Sequence, residues 1–440
     1  MPSNLPPGPG LPGLLNTLNW QLRTTAFLDS AHRRYGDLWT LRLVGGTTFV
    51  MVSDPKLIEE VLRTDPEVLH AEARLATQLV GETSVLVTQG REHNAKRALL
   101  EPFFERERVR RYRADIQQIC ERELDRWPVN EPMRLLPRLR RITLSVMMSC
   151  VLGESEGPRH DALHARMEDL LGASPLRMAK HQVRYMRGWG PDKSFLQMRE
   201  RVDRLLFEEI ADARRDERLE ERNDVLAMLV QAKHEDGSPL TDREIRDQTM
   251  TLLMQGYTST ANGLAWALER LMRHPQVLEQ LRSEAQTDGE EYLDAVVKET
   301  LRLRPALPFV MRRVNKPYKL SGYDLEPETM IACNLYLLHR RADLFPEPDR
   351  FRPERFLEQQ PADYTWIAFG GGTVRNCVGA GLAMTEIKVV LRTLMRRARL
   401  QPVEQRSEEI RRLGVGFTPS RGARAVLVER VPAAGAAPVG

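Results

Sequence analysis

The chain has 440 residues, of which 42% are apolar, and a formal net charge of +4. This length is ample for one large hydrophobic core, and so small a charge, without interleaved aromatic and basic segments, argues against a nucleic-acid-binding protein. No long apolar stretch lies near the N-terminus, so we expect neither a signal peptide nor a transmembrane segment. Four scattered cysteines without metal-binding spacing agree with a soluble protein of the reducing cytoplasm.

The first predicted elements are a β-hairpin and a helix. Residues 38–53 consist of two apolar, β-branched runs around Gly45-Gly46, a pattern that is typical of a hairpin. Asp54-Pro55 then begins a short helix. Residues 69–89 show no strong period and are predicted to form a long loop, a kind of segment that is often functional.

A basic helical stretch follows at residues 91–113. Its His93 and Arg97 are four residues apart, which places both on one face of a helix. By itself the stretch is more simply interpreted as a solvated charged helix. Farther along, residues 173–193 mix apolar side chains with a basic cluster of Arg177, Lys180, His181, Arg184 and Arg187. The cluster predicts a substrate entrance that favours an acidic amphipathic molecule, a contact with an anionic membrane surface, or else a solvated loop.

A long helix is predicted over residues 242–273, with Thr241 as its N-cap. Polar residues interrupt its centre. Gly256 lies there beside Gln255 and three hydroxyl residues, which favours a local kink or a widened helical turn. Gln255 and Ser259 are four residues apart and share one helix face. Taken alone, such a polar patch is more often a structural device than a site.

The last third of the chain carries an acid–base pair and an isolated cysteine. Glu299 and Arg302 are three residues apart on a predicted helix, and residues 310–338 alternate as a short sheet does. The loop 369–379 is rich in glycine and leads into an apolar helix directly after Cys377. Backbone N–H groups at a helix N-terminus favour a thiolate, and Arg375 adds positive charge. Such a cysteine can be a nucleophile, a redox thiol, a metal ligand or a buried turn residue.

The order phenylalanine, glycines, arginine, cysteine, glycine in this loop resembles the cysteine-ligand loop of the cytochrome P-450 family. Two departures are visible: Phe369 precedes Cys377 by eight residues instead of seven, and Thr373 replaces the second glycine. Other motifs extend the resemblance over nearly the whole chain. They are His93 and Arg97 in a His-x-x-x-Arg motif, Glu299 and Arg302 in Glu-x-x-Arg, and Arg355 in FRPERF.

The resemblance implies a mainly α fold with small β-sheets, in which haem lies between the long central helix and the cysteine-ligand loop. One domain would cover residues 1–430, with a disordered tail over 431–440. The implied cofactor is haem b, with Cys377 as the iron ligand. The remaining cofactor-binding residues that the resemblance implies are Phe369, His93, Arg97, Arg312 and Arg375.

The oxygen-binding helix of the family is matched only in part. Gly256 fits the motif, whereas Gln255 replaces a small residue, Thr258 replaces the acid and Ser259 replaces the threonine. These four are the catalytic candidates. Without the acid, protons could come through water, another side chain or the substrate; the enzyme could use peroxide; or the oxidation could be one that depends less on proton delivery.

The implied function is a monooxygenase that hydroxylates a lipophilic, and in one reading acidic, small molecule. Electrons would come from a separate ferredoxin or flavodoxin, because the chain has no room for a reductase domain, and the protein is expected to be a monomer. A peroxide-using or atypical family member is the alternative enzyme. A haem-binding or sensor protein without oxygen chemistry is the alternative of another class.

Overall fold

The computed structural model describes residues 5–153, 156–171, 184, 190–370, 372 and 374–432. The helices before the first gap are α1 Gly13–Leu22, α2 Thr24–Tyr35, α3 Pro55–Arg63, α4 Thr77–Val80, α5 Gly90–Leu100, α6 Arg106–Asp125 and α7 Leu135–Leu152. The later helices are α8 Pro158–Leu171, α9 Lys193–Arg215, α10 Val225–Gln231, α11 Asp242–Leu271, α12 Pro275–Ala285, α13 Glu291–Leu303, α14 Leu335–Leu338, α15 Arg355–Glu358 and α16 Ala380–Arg397.

The strands form small sheets at the edges of the helical body. They are β1 Leu38–Arg42, β2 Thr48–Val52, β3 Leu69–Ala71, β4 Pro132–Arg134, β5 Phe309–Val314, β6 Tyr318–Leu320, β7 Tyr323–Leu325, β8 Met330–Asn334, β9 Ala398–Pro402, β10 Ile410–Leu413, β11 Gly416–Pro419 and β12 Arg424–Arg430. The main sheet has the order β1-β2-β8-β5-β3, with only β2 and β8 parallel in it. The others are β4-β12-β9, β10-β11 and β6-β7.

The region predicted as a hairpin, residues 38–53, contains β1 and β2, which pair from Leu38 opposite Val52 to Arg42 opposite Thr48. The predicted loop 69–89 holds β3, a short 3₁₀ turn and α4. Of the tail 431–440, residues 433–440 lie outside the described residues. The expectation of a mainly α fold with small β-sheets is confirmed. Among the helices that the structure describes, none combines the length and apolarity needed to cross a bilayer.

Helix α11 runs through the centre of the core. Its N-terminus carries a capping box, in which the Glu244 N–H donates to Thr241 Oγ1 and the Thr241 N–H donates to the Glu244 carboxylate. The helix ends at Leu271, two residues before the predicted end. It packs along α7 and also contacts α9, α13 and α16. Because four helices pack against α11, this helix sets the spacing between them.

A buried charge network ties α13 to the segment that precedes the cysteine loop. Arg302 donates through Nε and Nη2 to the two oxygens of Glu299 at 2.7 and 3.0 Å, and both side chains are fully buried. Arg355 Nε donates to the same carboxylate at 3.2 Å. Arg302 also donates to the His339 carbonyl at 2.6 Å. The carboxylate is thereby saturated with donors, a condition under which a buried ion pair can be tolerated.

We predict that Glu299→Gln will lower the free energy of unfolding by about 3 kcal/mol or more, because it leaves two buried guanidinium groups without their counter-charge. Urea unfolding followed by circular dichroism measures the change. Glu59→Gln is the matched control, since Glu59 forms an exposed ion pair with Arg63 on α3. The free energy of the control should stay close to that of the parent. Equal stabilities for Glu299→Gln and the parent would contradict this view of the network.

Candidate functional site

The loop before α16 presents Cys377 at the N-terminus of that helix. The Cys377 N–H donates to the Phe369 carbonyl at 2.9 Å, which closes the loop on itself. Gly379 is the N-cap of α16, and its backbone N–H bonds the Cys377 thiol. This geometry places the sulfur where the helix offers unpaired N–H donors.

Cys377 has an exposed side chain, although dense protein lies close to its sulfur. Cys377 is the exposed cysteine in the described part of the chain, whereas Cys120, Cys150 and Cys333 are buried. Burial nevertheless raises the pKa of the Cys377 thiol, and the Gly379 N–H and the charge of Arg97 oppose this rise. An exposed side chain and a pKa raised by burial are both expected for a cysteine that is accessible on one side and has dense protein on the other. The protein alone therefore favours the thiol, and a bound metal ion would be needed to hold the thiolate.

The cysteine loop is held in place by glycine and by aromatic packing. Gly372 has φ of +92°, and a Cβ there would lie 2.5 Å from the Leu62 carbonyl oxygen at the end of α3. Only glycine fits this close approach without strain. The Phe369 ring packs edge-on against Trp366, with 6.2 Å between the ring centroids. The departure at Thr373 lies outside the described residues.

Three arginines and one histidine, which the sequence motifs had indicated, lie near this loop. His93 on α5 is buried, with Nδ1 2.8 Å from the Val85 carbonyl and Nε2 3.4 Å from the Val374 carbonyl. Burial, with a contribution from the nearby Arg375 charge, lowers the His93 pKa, so the ring is neutral near pH 7. Arg97 donates to both the backbone and side-chain oxygens of Asn376, at 2.8 and 2.9 Å, and to Glu101 at 2.7 Å.

Arg375 and Arg312 lack carboxylate partners within the described residues. Arg375 donates through Nη2 to the Thr88 carbonyl and to Gln89, at 2.6 and 2.7 Å, while its buried Nε has no partner. Burial lowers the Arg375 pKa to about 10, and the charges of Arg312 and Arg97 contribute to the fall. Arg312, on β5, donates only to the neighbouring Met311 carbonyl, and burial lowers its pKa as well. The buried Arg312 and the half-buried Arg375, without anionic partners among the described residues, fit the two carboxylates of a porphyrin, and an accessible thiol fits its iron.

On α11, the predicted catalytic residues differ in how far they are exposed. The Gln255 side chain is exposed, although its helix crosses the core, and its amide has no hydrogen-bond partner among the described residues. Ser259 Oγ donates to the Gln255 carbonyl at 3.0 Å. Thr258 is half-buried. The exposed side of this turn therefore carries Gln255 and the backbone carbonyl that Ser259 bonds.

The predicted widened turn at Gly256 is absent, since α11 remains α-helical across this residue. The physical role of the glycine is instead close packing. A Cβ on Gly256 would lie 2.3 Å from the sulfur of Met147 on α7. In the next turn, Thr143 Oγ1 of α7 donates to the Tyr257 carbonyl at 2.9 Å. The two helices approach each other closely because this position has no side chain.

The sequence analysis missed the residues that attach residues 79–88 to α11. Asp247 accepts hydrogen bonds from the Thr83 N–H and hydroxyl, at 3.1 and 2.8 Å. The side chain of Gln248 accepts from the Val85 N–H at 3.0 Å and donates to the Thr83 carbonyl at 2.6 Å. Asp and Gln beside apolar residues in a long helix were the available signal, but their partners lie more than 160 residues away. Asn376, which holds Arg97, was also missed.

Comparisons with known proteins agree with this geometry. A family model described as Cytochrome P450 matches residues 6–423. A Mycobacterium bovis protein with the provisional name cytochrome P450 135B1 is 39% identical over 432 residues, which cover 96% of this chain and 90% of that protein. A Mycobacterium tuberculosis protein provisionally named cytochrome P450 138 is 34% identical over 431 residues, which cover 97% of each chain.

Solved structures show the same fold. A structure of the retinoic acid-bound cyanobacterial CYP120A1 superposes with a TM-score of 0.82 at 22% identity and covers 97% of this chain and 99% of that one. The haem domain of cytochrome P450DA superposes with a TM-score of 0.81 at 21% identity and covers 97% and 98% of the two chains. At these identities the likeness concerns the fold alone.

We predict that Gly372→Ala will destabilise the protein by on the order of 2 kcal/mol, because alanine is strained at positive φ and its Cβ would collide with the Leu62 carbonyl. Gly381→Ala is the matched control: it lies in α16, and a Cβ there would meet no atom within 4 Å. The control should be neutral or slightly stabilising. Thermal unfolding measures the midpoint temperature of both variants. Equal midpoints would refute the close approach of Gly372 to the Leu62 carbonyl.

Proposed function

The chain belongs to the cytochrome P450 family and is therefore a haem-iron monooxygenase, and we propose that it hydroxylates a lipophilic small molecule. The observation that carries the finer proposal is the set of groups around the cysteine loop. An accessible cysteine at the start of α16 occurs together with the buried Arg312 and the half-buried Arg375, neither of which has a carboxylate partner in the described part of the structure. Each is difficult to explain without a bound anionic metal complex.

Haem b is the proposed cofactor, with Cys377 as its ligand. When bound, it supplies an iron centre for dioxygen activation, for which a thiolate ligand is the electron-rich choice. Arg312 and Arg375 are the strongest candidates for the propionate groups, because burial without an anion makes both cations costly. His93 and Arg97 already have carbonyl, amide and carboxylate partners. We propose that they chiefly position the loop and contribute positive potential, while Phe369 closes the loop through its carbonyl.

Proton delivery is the proposed task of the Gln255 turn. The amide of Gln255 offers donors and an acceptor and is free to bond water, substrate or the reacting oxygen. The Ser259 hydroxyl bonds the Gln255 carbonyl and can also accept a hydrogen bond. Thr258 provides a further hydroxyl. Gly256 holds this turn of α11 close to Met147 on α7. Water held by these groups would take the place of the missing acid as the proton carrier.

A peroxide-using enzyme is the second candidate, and one specific observation favours it. The position at which the family carries an acid is Thr258, which has no ionisable group at neutral pH. Peroxide already contains the two protons that dioxygen must acquire, so such an enzyme would not need a carboxylate at this position. Turnover with hydrogen peroxide alone, compared with turnover with dioxygen and a reductase, separates the two candidates.

The substrate class and the electron donor complete the proposal. The cyanobacterial structural neighbour holds retinoic acid, a lipophilic acid, which illustrates what this fold can enclose. We propose a lipophilic substrate, with an acidic group as the finer option, and a ferredoxin or flavodoxin as electron donor. The basic segment 173–193, on which the acidic option was based, lies mostly outside the described residues. Free cysteines support a cytoplasmic location, and the monomeric state stays a prediction.

We predict that Cys377→Ser will abolish the long-wavelength band of the reduced carbonyl complex for which the family is named, because the thiolate causes that band. Visible spectra of the purified protein measure it. Cys150→Ser is the matched control, since Cys150 is buried on α7 and should keep the band if the variant folds. A normal band in Cys377→Ser would overturn the assignment of the iron ligand.

We predict that Gln255→Ala will raise the fraction of electrons released as hydrogen peroxide at least about twofold, because uncoupling follows when proton delivery is disturbed. Peroxide yield per NADPH consumed, measured with a surrogate ferredoxin and reductase, gives the fraction. Gln276→Ala, at an exposed position on α12, is the matched control and should not change it. If the Gln255 variant also leaves the fraction unchanged, Gln255 is only a helix residue.

A further inference from the structure

Helix α1 turns its leucines outward. The side chains that face away from the protein are Leu14, Leu15, Leu18 and Leu22, with exposed fractions of 59%, 46%, 46% and 77%. Leu11, just before the helix, is 45% exposed. These five residues form the leucine face. A contiguous apolar surface on the order of a few hundred Å² is as large as the patches that usually serve binding.

The inner side of α1 is polar, which shows that the helix is fixed in this orientation. Buried Asn16 donates to the Arg42 carbonyl of β1 at 3.0 Å, and Thr17 Oγ1 accepts from the Val44 N–H at 3.0 Å. Trp20 stacks on Phe309 of β5, with 5.0 Å between ring centroids. Turning the leucines inward would break these hydrogen bonds. The apolar face is thus a built surface of the fold.

Positive charge accompanies the leucine face. Residues 1–28 contain no aspartate or glutamate. A groove of about 390 Å³ between α1 and α2 is lined by Leu11, Arg23 and Arg34 among others, and none of the described residues that line it is acidic. Neither arginine forms an ion pair within the described residues, although the Arg34 guanidinium lies over the Tyr35 ring at 5.4 Å. Free guanidinium groups beside an apolar ridge are suited to lipid phosphates.

We propose that the leucine face and the arginine groove form a peripheral membrane-binding surface that docks on a bilayer containing anionic phospholipids. A ten-residue helix is about 15 Å long, too short to span a bilayer, so it would lie in the plane of the interface. A second copy of the chain fits less well. A leucine face on the order of a few hundred Å² is smaller than the roughly 800 Å² per partner of a stable protein interface.

Vesicle sedimentation of the holoenzyme tests the apolar part of the proposal. The probes are vesicles of phosphatidylcholine alone and of an equimolar mixture with phosphatidylglycerol. We expect the parent protein to sediment with the mixed vesicles and Leu14→Glu/Leu18→Glu to lose about tenfold or more of that affinity. Leu357→Glu, at an equally exposed leucine on α15, should bind as the parent does. No binding by the parent, or equal losses in both variants, overturns the proposal.

The arginine groove is tested separately. Arg23→Glu/Arg34→Glu should weaken binding to the mixed vesicles by about tenfold or more, whereas Arg201→Glu/Arg204→Glu on α9 makes the same charge change at exposed positions elsewhere and should have little effect. Binding that is the same with and without phosphatidylglycerol overturns the assignment of anionic lipid.

Sedimentation velocity of the same proteins tests whether a second copy of the chain, in place of a membrane, covers the leucine face. A dimer that Leu14→Glu/Leu18→Glu converts to a monomer, without vesicle binding by the parent, would assign the face to a second copy and refute the membrane. An unchanged carbonyl spectrum in each variant establishes that the fold is intact.

Discussion

The buried carboxylate of Glu299 holds two guanidinium groups, and the approach to the cysteine loop depends on this arrangement. Through Arg302 the network reaches the His339 carbonyl. The His339 ring is buried, and burial together with the nearby arginines lowers its pKa to about 3, so it stays neutral and accepts the Ile367 N–H through Nε2. Ile367 lies two residues before Phe369. A chain of charge-assisted and neutral hydrogen bonds thus fixes where the loop begins.

A second set of polar contacts fixes the same loop from the opposite direction. Asp247 and Gln248 on α11 hold residues 83–85, and the Val85 carbonyl in turn holds His93. Arg375 then joins the loop to Thr88 and Gln89. The central helix and the cysteine loop are therefore connected through one short segment. Its buried backbone groups are satisfied by side chains, which makes a segment without regular secondary structure rigid.

The two arginines without carboxylate partners and the partly exposed sulfur have one physical meaning. Buried charge without a counter-charge is unfavourable, so a fold keeps it where a ligand supplies the compensation. Burial lowers the pKa of Arg375, and the charges of Arg312 and Arg97 add to the fall, so an arriving dianion would relieve both effects. Helix α11 differs from this set of charges, because Gln255 places a neutral amide at a position where the family has a small residue. The polarity of this turn therefore comes from amide and hydroxyl groups, without a formal charge.

The elements with local signals could be predicted from the sequence. Glycine, cysteine and arginine spacing located the cysteine loop, and the capping box at Thr241 located the start of α11, because these depend on neighbours within a few residues. Sequence motifs also indicated the basic residues near this loop, which are His93, Arg97, Arg312 and Arg375. The remaining features depend on tertiary contacts. Only packing against Met147 shows that Gly256 permits close helix contact, only the partners more than 160 residues away explain Asp247 and Gln248, and only the polar anchors of Asn16 and Thr17 turn the leucines of α1 outward. Each of these depends on atoms far apart in the chain, which no local pattern encodes.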